Sequence, residues 1–159
     1  MINSDQKEFM SAAIQLASDN VGTGSGGPFG AVVVLNGKII ARGNNRVTVD
    51  NDPTAHAEIV AIRQASKVLG SFQLTDCDIY CSCEPCPMCL GAIYWARPAR
   101  VFFAANRHDA ARAQFDDSFI YEQLNLDNDV RTIPMQQFMR DEAVAVFDQW
   151  TDSNRKTPY

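Results

Sequence analysis

Four side chains in this sequence have the types and the spacing of a zinc site that can do chemistry: His56, Glu58, Cys86 and Cys89. One imidazole and two thiolates form a three-ligand shell, and catalytic zinc sites use three protein ligands and leave a fourth position for water. The metal lowers the pKa of that water from about 15.7 to about 7. Glu58 is a poor fourth ligand but a suitable proton carrier for the water. We therefore predict a catalytic zinc centre with His56, Cys86 and Cys89 as ligands and Glu58 as the catalytic acid and base.

Two predicted helices position these residues. Asp52-Pro53-Thr54 supplies helix-start residues for a helix over Ala55–Leu69, which Gly70 ends, and a second helix is predicted over Cys86–Ala96. The ligands then fall near the first turns of both helices. Because a helix N-terminus is positive, two converging N-termini would lower the cysteine pKa values and favour thiolate ligands.

Two other uses of the cysteines compete with the catalytic zinc site. The run Cys83–Cys89 has the C-x₂-C-x₂-C spacing of an iron–sulfur protein, but no fourth cysteine follows it. A structural zinc site could draw its fourth ligand from Cys77 or Cys81. That alternative leaves His56 and Glu58 without a role, so we favour the catalytic site.

Composition narrows the class of protein. The chain has 159 residues, enough for one domain, and its net charge is −5 with no cluster of Lys and Arg, which disfavours a nucleic-acid partner. The N-terminus has no secretory signal, and the longest aliphatic stretch, residues 31–35, is too short to span a membrane. All five cysteines lie within Cys77–Cys89, unlike a secreted disulfide framework. These features predict a cytoplasmic protein without a membrane partner.

The remaining pattern predicts a layered α/β domain. Asn36-Gly37 indicates a hairpin turn, and the glycine-rich run 21–30 follows a helix, so it indicates a flexible loop rather than a dinucleotide fingerprint. Apolar spacing predicts helices over about 5–19, 109–113, 118–124 and 141–150, strands over 29–35, 38–41, 78–81 and 100–104, and an extended segment over 130–138. Val101, Phe102 and Phe103 are expected to be buried.

Several segments resemble the bacterial guanine deaminases, which are zinc enzymes of the cytidine deaminase-like fold. The resemblance lies in Gly27–Val32, Asn51–Glu58, Ser82–Pro98 and Phe115–Tyr121. His-x-Glu and Pro-Cys-x-x-Cys within them form the signature of zinc-dependent base deaminases. Transfer-RNA adenosine deaminases share much of both motifs, so the distinction rests on Tyr94-Trp95, Phe115–Phe119 and Tyr159.

The resemblance implies a three-layer αβα fold with a five-stranded mixed sheet, one Zn²⁺ per subunit, and hydrolysis of guanine to xanthine and ammonia. It implies one zinc-dependent deaminase domain over residues 1–159 and a homodimer that exchanges its C-terminal segment, about 125–159. It also implies that Asn45 bonds the base, Phe29 stacks on it and Asp117 reads its ring N–H groups. The other implied pocket residues are Ala57, Trp95 and Tyr159.

Alternatives to these implied roles stay open at this point. Asn45 lies in a turn-like Asn-Asn pair, Asp117 could cap a helix, and Phe29 or Trp95 could belong to the core. A tRNA adenosine deaminase would need a basic docking surface, which the negative charge disfavours. A non-catalytic, zinc-stabilised binding module and an enzyme acting on other purine or triazine amines are the remaining alternatives.

Overall fold

The computed structural model describes residues 3–159. Its helices and strands are α1 (Ser4–Thr23), β1 (Gly30–Leu35), β2 (Lys38–Asn44), α2 (Val47–Asp50), α3 (Ala57–Leu69), β3 (Asp78–Cys83), α4 (Pro87–Ala96), β4 (Arg100–Ala105), α5 (Arg107–Arg112), α6 (Ser118–Leu124) and α7 (Arg140–Asp152). Among these residues, no helix combines the length and the apolar character needed to cross a membrane. Contacts divide the chain into two compact units, one ending at Asp117 and the other spanning Ser118–Tyr159.

The sheet of the first unit is mixed and has the strand order β2-β1-β3-β4. The hairpin predicted at Asn36-Gly37 is confirmed: β1 and β2 are antiparallel, and the two turn residues have φ values of 50° and 72°. Positive φ at both central positions is the requirement of a type I′ turn, which Asn-Gly meets at low cost. β1 also pairs antiparallel with β3, and β3 pairs parallel with β4.

Helices cover both faces of this sheet, so the predicted α/β layering is confirmed. Alternate residues of a strand point to opposite faces, and β1 is buried except at its last residue, Leu35. On one face Val32 and Val34 pack with Ala13 of α1 and with Tyr80. On the other face the core consists of strand residues, residues of α3 and α4, and two residues of the segment between α3 and β3: Ala31, Val33, Ala41, Ala57, Ala61, Ala65, Leu74, Cys77, Ile79, Cys81, Ile93 and Ala96.

The expected five-stranded sheet is wrong for this structure, because the described residues form a sheet of four strands. The predicted extended segment 130–138 contains turns and bends and pairs with no strand among residues 3–159. The expected burial of Phe103 is also wrong, since 49% of it is exposed. β4 lies at the edge of the sheet, and a run of apolar residues does not distinguish an edge strand from a central one.

The C-terminal unit, residues 118–159, has no buried residue of its own. Its helices α6 and α7 and the segment between them leave large apolar side chains exposed, among them Ile133 at 81%, Phe138 at 81% and Phe147 at 70%. A segment of this kind has no hydrophobic core to offset the entropy of ordering its chain.

Candidate zinc centre and active site

The structure brings the three predicted ligands together at the N-termini of two helices. His56 is the N-cap of α3, Cys86 is the N-cap of α4 and Cys89 lies in the first turn of α4. The Nδ1 atom of His56 is 3.6 Å from Cys86 Sγ and 3.5 Å from Cys89 Sγ. All three ligand atoms lie within 4.8 Å of one another.

These separations fit a tetrahedral zinc ion. With Zn–S about 2.3 Å and Zn–N about 2.05 Å, neighbouring sulfur and nitrogen ligands of a tetrahedron are about 3.6 Å apart. The measured separations, 3.6 Å and 3.5 Å, agree with that value. The donor set is also appropriate, because imidazole nitrogen and thiolate sulfur are both common zinc ligands. Among the described residues, this is the cluster of His, Cys, Asp and Glu that could hold a metal.

Local sequence explains why the ligands face one point. Pro87 occupies the first turn of α4, where its fixed φ suits a helix start and its missing N–H costs no hydrogen bond. Cys86 and Cys89 are three apart, so they share one face of the first turn. Before α3, the Asp52 carboxylate accepts the backbone N–H and the hydroxyl of Thr54 at 2.8 Å and 2.7 Å. This turn sets the direction in which the chain enters His56.

The two cysteines and the imidazole shift one another's pKa values. Hydrogen bonding from Cys89, supported by His56, lowers the pKa of Cys86 to about 4 despite partial burial. The same hydrogen bond, together with burial, raises the pKa of Cys89, so that the pair holds one negative charge readily. The Cys86 sulfur in turn raises the pKa of His56. Cys86 is therefore held as a thiolate, which is the form of cysteine that binds zinc.

Glu58 lies beside this cluster in the first turn of α3 and is 8% exposed. Burial is the main cause that raises its pKa, and the carboxyl group lies within hydrogen-bonding reach of the Cys89 sulfur. A buried carboxyl group with a raised pKa binds a proton more firmly than an exposed one, which suits a group that must accept and return protons near neutral pH. The arrangement allows the acid–base role predicted for Glu58.

Phe29, Asn45 and Ala57 lie around the same end of the sheet. Asn45 donates its backbone N–H to the Phe29 carbonyl at 3.1 Å, and Phe29 meets the ring of Phe115 edge to face, with centroids 5.0 Å apart. Arg46 donates its N–H to the Ala55 carbonyl at 2.9 Å, which ties this edge to the residue that precedes His56. Ala57 is the first residue of α3, so its N–H has no acceptor within the helix.

The other predicted base contacts are placed differently. Asp117 is half-buried, and burial followed by the negative charge of Cys86 raises its pKa, so its carboxyl group lies near the ligands. Trp95 is 64% exposed on α4, six residues and nearly two turns beyond Cys89. Tyr159 belongs to the C-terminal unit and is 69% exposed. The roles of all three in binding a base stay predictions.

Neighbouring residues show which side chains support the centre without belonging to it. The Glu84 carboxylate, which follows β3, accepts the backbone N–H of Arg107 at the start of α5 at 3.0 Å. Burial raises the pKa of the Cys83 thiol to about 11, so it is a poor ligand compared with Cys86. His108 is exposed and does not belong to the ligand cluster.

Sequence reasoning missed Asn20, which is 1% exposed and bonds both the glycine-rich loop and the end of β2. The available signal was its spacing, because Ala13, Ala17 and Asn20 recur at i, i+4 and i+7 and so share the buried face of α1. A polar residue on a buried helical face requires hydrogen-bond partners. The predicted helix ended at about residue 19, one residue too early to include it.

Residues 3–105 match the family model of the cytidine and deoxycytidylate deaminase zinc-binding region. The chain therefore belongs to this zinc-binding deaminase family. The family, the cytidine deaminase-like α/β fold and the zinc cofactor predicted from the sequence are confirmed, whereas the fifth strand is not.

Within the family, the chain is 55% identical over 155 residues to the guanine deaminase of Bacillus subtilis (strain 168), which covers 98% of this chain and 99% of that one. The X-ray structure of a Bacillus subtilis guanine deaminase superposes with a TM-score of 0.94 at 56% identity, covering 96% of this chain and 98% of that one.

Two further relatives match part of the chain. The tRNA-specific adenosine deaminase of Agrobacterium fabrum (strain C58 / ATCC 33970) is 50% identical over 78 residues, 49% of this chain and 51% of that one. A protein solved in complex with 8-azaguanine superposes with a TM-score of 0.66 at 34% identity, covering 69% of this chain and 63% of that chain. The similarity to this tRNA deaminase spans half the chain, whereas the similarity to the guanine deaminase spans nearly all of it. A second tRNA-specific adenosine deaminase, that of Buchnera aphidicola subsp. Schizaphis graminum (strain Sg), covers 80% of the chain but is only 34% identical to it.

Proposed function

We propose that this protein hydrolyses guanine to xanthine and ammonia. The observation that carries the proposal is the juxtaposition of a His56, Cys86 and Cys89 ligand set with the buried carboxyl group of Glu58. Similarity to a guanine deaminase over almost the full length supports the choice of base.

Each residue of the site has a chemical task in this proposal. His56, Cys86 and Cys89 would hold zinc, which when bound supplies a polarised water as the nucleophile for C2 of the base. Glu58 accepts the first proton that this water loses and transfers it to a ring nitrogen. It then takes the remaining hydroxyl proton and delivers it to the amine, so that the C2–N bond breaks, the C2 carbonyl forms and ammonia leaves. Proton transfer of this kind contributes about 10²–10⁴-fold to the rate.

We assign the base contacts to the residues that surround the centre. Phe29 offers an aromatic face for stacking, and Asn45 and the N–H of Ala57 offer polar groups to the ring. Asp117, half-buried near Cys86, offers a carboxylate acceptor for ring N–H groups. A site built to pair such groups rejects analogues that lack them by about 10⁴-fold or more. If Asp117 meets the N9 side of the ring, a ribose would clash there, so we expect guanosine to be a poor substrate.

We further propose a homodimer in which the segment of about 125–159 is exchanged between subunits. In that assembly Tyr159 and Trp95 would reach the base pocket, which they would not do in a single chain. The exposed apolar side chains of the C-terminal unit support this, since that unit buries none of its own residues. The outer face of α4 also exposes apolar surface, with Tyr94 at 76% and Leu90 at 41%. Contiguous exposed apolar surface of this kind marks protein contacts.

The proposed compartment is the cytoplasm, because thiolate ligands require reduced cysteines and reducing conditions favour them. All five cysteines are free thiols. The substrate is a free purine base rather than a nucleic acid, in keeping with the net charge of −5. A cell-fractionation measurement with an antibody against the chain tests the compartment.

Ammonia release from guanine, guanosine, adenine, cytosine, cytidine and tRNA tests the proposed reaction. We expect guanine to be the preferred substrate and xanthine the product. In the same assay Glu58→Gln should keep its zinc, measured by elemental analysis, and lose about 10²–10⁴-fold in kcat. Glu84→Gln is the matched control, since its amide oxygen can still accept the N–H of Arg107. Turnover of tRNA but not of guanine, or near-normal kcat in Glu58→Gln, would contradict the proposal.

Coexpression of two defective chains tests the exchange. If Tyr159 closes the partner's pocket, a heterodimer of Glu58→Gln and Tyr159→Ala contains one pocket with both defects and one with neither. About a quarter of all pockets in a random mixture are then intact. Activity restored to about that fraction of wild type supports the exchange, and activity no higher than the mean of the two parents counts against it.

A further inference from the structure

Asn20 is the centre of a buried hydrogen-bond network beside the proposed base pocket. Its Nδ2 group donates to the Gly27 carbonyl and to the Asn45 carbonyl, each at 2.8 Å. Its Oδ1 atom accepts Nδ2–H of Asn44 at 2.7 Å. With 1% of the residue exposed, the amide joins the end of α1, the glycine-rich loop and the end of β2 through direct contacts.

The network determines how the Asn45 amide is oriented. Asn45 Oδ1 accepts the backbone N–H groups of Gly27 and Val47, each at 3.3 Å. Only an oxygen can satisfy these two donors, so the amide nitrogen must point the other way. Among the described residues, that nitrogen has no hydrogen-bond partner within the chain, and Asn45 is 6% exposed. Asn45 therefore presents a donor, suited to an oxygen or nitrogen acceptor on a ring.

Asn20 holds the two groups on which that orientation depends. One Nδ2 hydrogen bond fixes the carbonyl of Gly27, the residue whose N–H binds Asn45 Oδ1, and the other fixes the Asn45 carbonyl. Without Asn20, the Asn45 carbonyl would lose its donor and the Gly27 carbonyl would keep only the N–H of Phe29 at 2.8 Å, so the glycine-rich loop would lose its link to α1 and be free to move away from Asn45. A buried carbonyl left unpaired is costly, so the loop would rearrange to reach water.

We propose that Asn20 is a positioning residue for base recognition, acting through Asn45. This rests on the proposed function, since it assigns Asn45 to an acceptor atom of the purine base. Asn20 is not a catalytic residue and does not act on the zinc ligands. Its removal should therefore raise KM for the base and weaken discrimination between bases, with little change in kcat.

Two variants separate the hydrogen bonds from the packing. Asn20→Ala removes the whole amide, and Asn20→Asp keeps its size and its acceptor but lacks both donors, so it remains informative if the alanine variant does not fold. Leu74→Ala is the control, because Leu74 is fully buried in the core on the α3 side of the sheet. A large-to-small change there destabilises the fold without altering the network.

Amide hydrogen exchange tests the positioning without turnover. Faster exchange at Gly27 and Val47 by about tenfold or more, relative to other buried amides, is expected in the Asn20 variants but not in Leu74→Ala. Unchanged relative exchange at both amides overturns the proposal. If wild-type protein does not act on guanine, the proposed function fails, and this measurement alone still decides whether Asn20 positions Asn45.

Kinetics with base analogues then test the consequence. We compare kcat/KM for guanine with that for 2-aminopurine, which lacks the 6-oxygen, and for 7-deazaguanine, which lacks the N7 acceptor. In the Asn20 variants KM for guanine should rise about tenfold, equivalent to one hydrogen bond, and at least one preference for guanine should fall by a similar factor. Leu74→Ala should leave both ratios unchanged. Faster exchange with unchanged KM and unchanged ratios in an active enzyme overturns the proposal.

Discussion

Replacing Gly43 by alanine tests whether the packing of α3 on the sheet holds the zinc ligands in place. A Cβ atom at Gly43 would lie 2.2 Å from the Ala57 carbonyl oxygen and 2.6 Å from the Ala61 nitrogen. Ordinary contacts begin at 3.4 Å, so the first turn of α3 would have to move by about 1 Å. Because His56 caps that turn while Cys86 and Cys89 belong to α4, the movement would change the distances between ligands.

The expected losses follow from the displacement. Overpacking of this kind costs about 1–3 kcal/mol, which lowers the Tm of a domain of this size by about 2–12 °C. Zinc geometry tolerates only about 0.2 Å of deviation in ligand distances. Zinc affinity should therefore fall on the order of 10–100-fold, as it does when residues supporting a metal ligand are altered. Competition with a chromophoric chelator measures the affinity, and calorimetry measures the Tm.

Gly30→Ala is the matched control for this prediction. A Cβ there would also lie 2.2 Å from a helix carbonyl, that of Ala13, but this oxygen belongs to α1 on the opposite face of the sheet. Gly22→Ala is the neutral control, because nothing lies within 4 Å of its new Cβ. Both Gly43→Ala and Gly30→Ala should lose stability, but only Gly43→Ala should lose zinc affinity. Equal zinc affinities in these two variants would refute the reasoning.

Three further predictions concern the zinc ion, the Cys83 thiol and the stability of the fold at low pH. Chelation of zinc should lower the Tm. Added Zn²⁺ should restore it, because free Zn²⁺ at 100 times its Kd raises the free energy of unfolding by about 2.7 kcal/mol. Cys83→Ala should retain zinc by elemental analysis while Cys86→Ala loses it, because burial raises the pKa of Cys83 to about 11 and keeps it protonated at neutral pH. Hydrogen bonds from Thr54 lower the pKa of Asp52, so its contribution is present above the usual carboxyl pKa of about 4 and is lost as the pH falls through the lowered value. The Tm advantage of wild type over Asp52→Asn should shrink accordingly in a pH series.

Each of these has an outcome that contradicts it. An unchanged Tm after complete removal of zinc would mean that the metal does not link α3 and α4. Loss of zinc in a folded Cys83→Ala protein would place a third sulfur in the shell. A Tm difference between wild type and Asp52→Asn that stays constant from pH 7 to strongly acidic pH would show that the folded pKa of Asp52 is not lowered.

Local signals in the sequence predicted the elements that local chemistry decides. Asn36-Gly37 predicted its hairpin because few other dipeptides accept positive φ at both turn positions. The helix over 57–69 ends at Gly70, which has φ 60°, since a left-handed residue without a Cβ suits a helix C-terminus. The ligand spacing and the cysteine-rich segment predicted the zinc centre, because the type of each side chain already fixes which donor atom it can offer to a metal.

Features that depend on distant parts of the chain could not be predicted in this way. Phe103 was expected in the core and the segment 130–138 was expected to be extended, but apolar composition does not reveal whether a neighbouring strand is present. The sheet has four strands because, among residues 3–159, nothing pairs with the outer side of β4. Strand pairing is decided by long-range contacts, and these are absent from any short window of sequence.

The sequence by itself determined the donor atoms of the site, their order along the chain and the helix starts that carry them, because residue types and local backbone preferences suffice for these. Only the tertiary structure decided that Nδ1 of His56 faces both sulfurs, that Glu58 is buried beside them, and that Asn20 reaches across to Asn45. Those outcomes depend on how α1, α3 and α4 pack on opposite faces of one sheet. Packing brings together residues that are 25 or more positions apart in the sequence, and the donor atoms can bind one metal ion only at the distances that this packing sets.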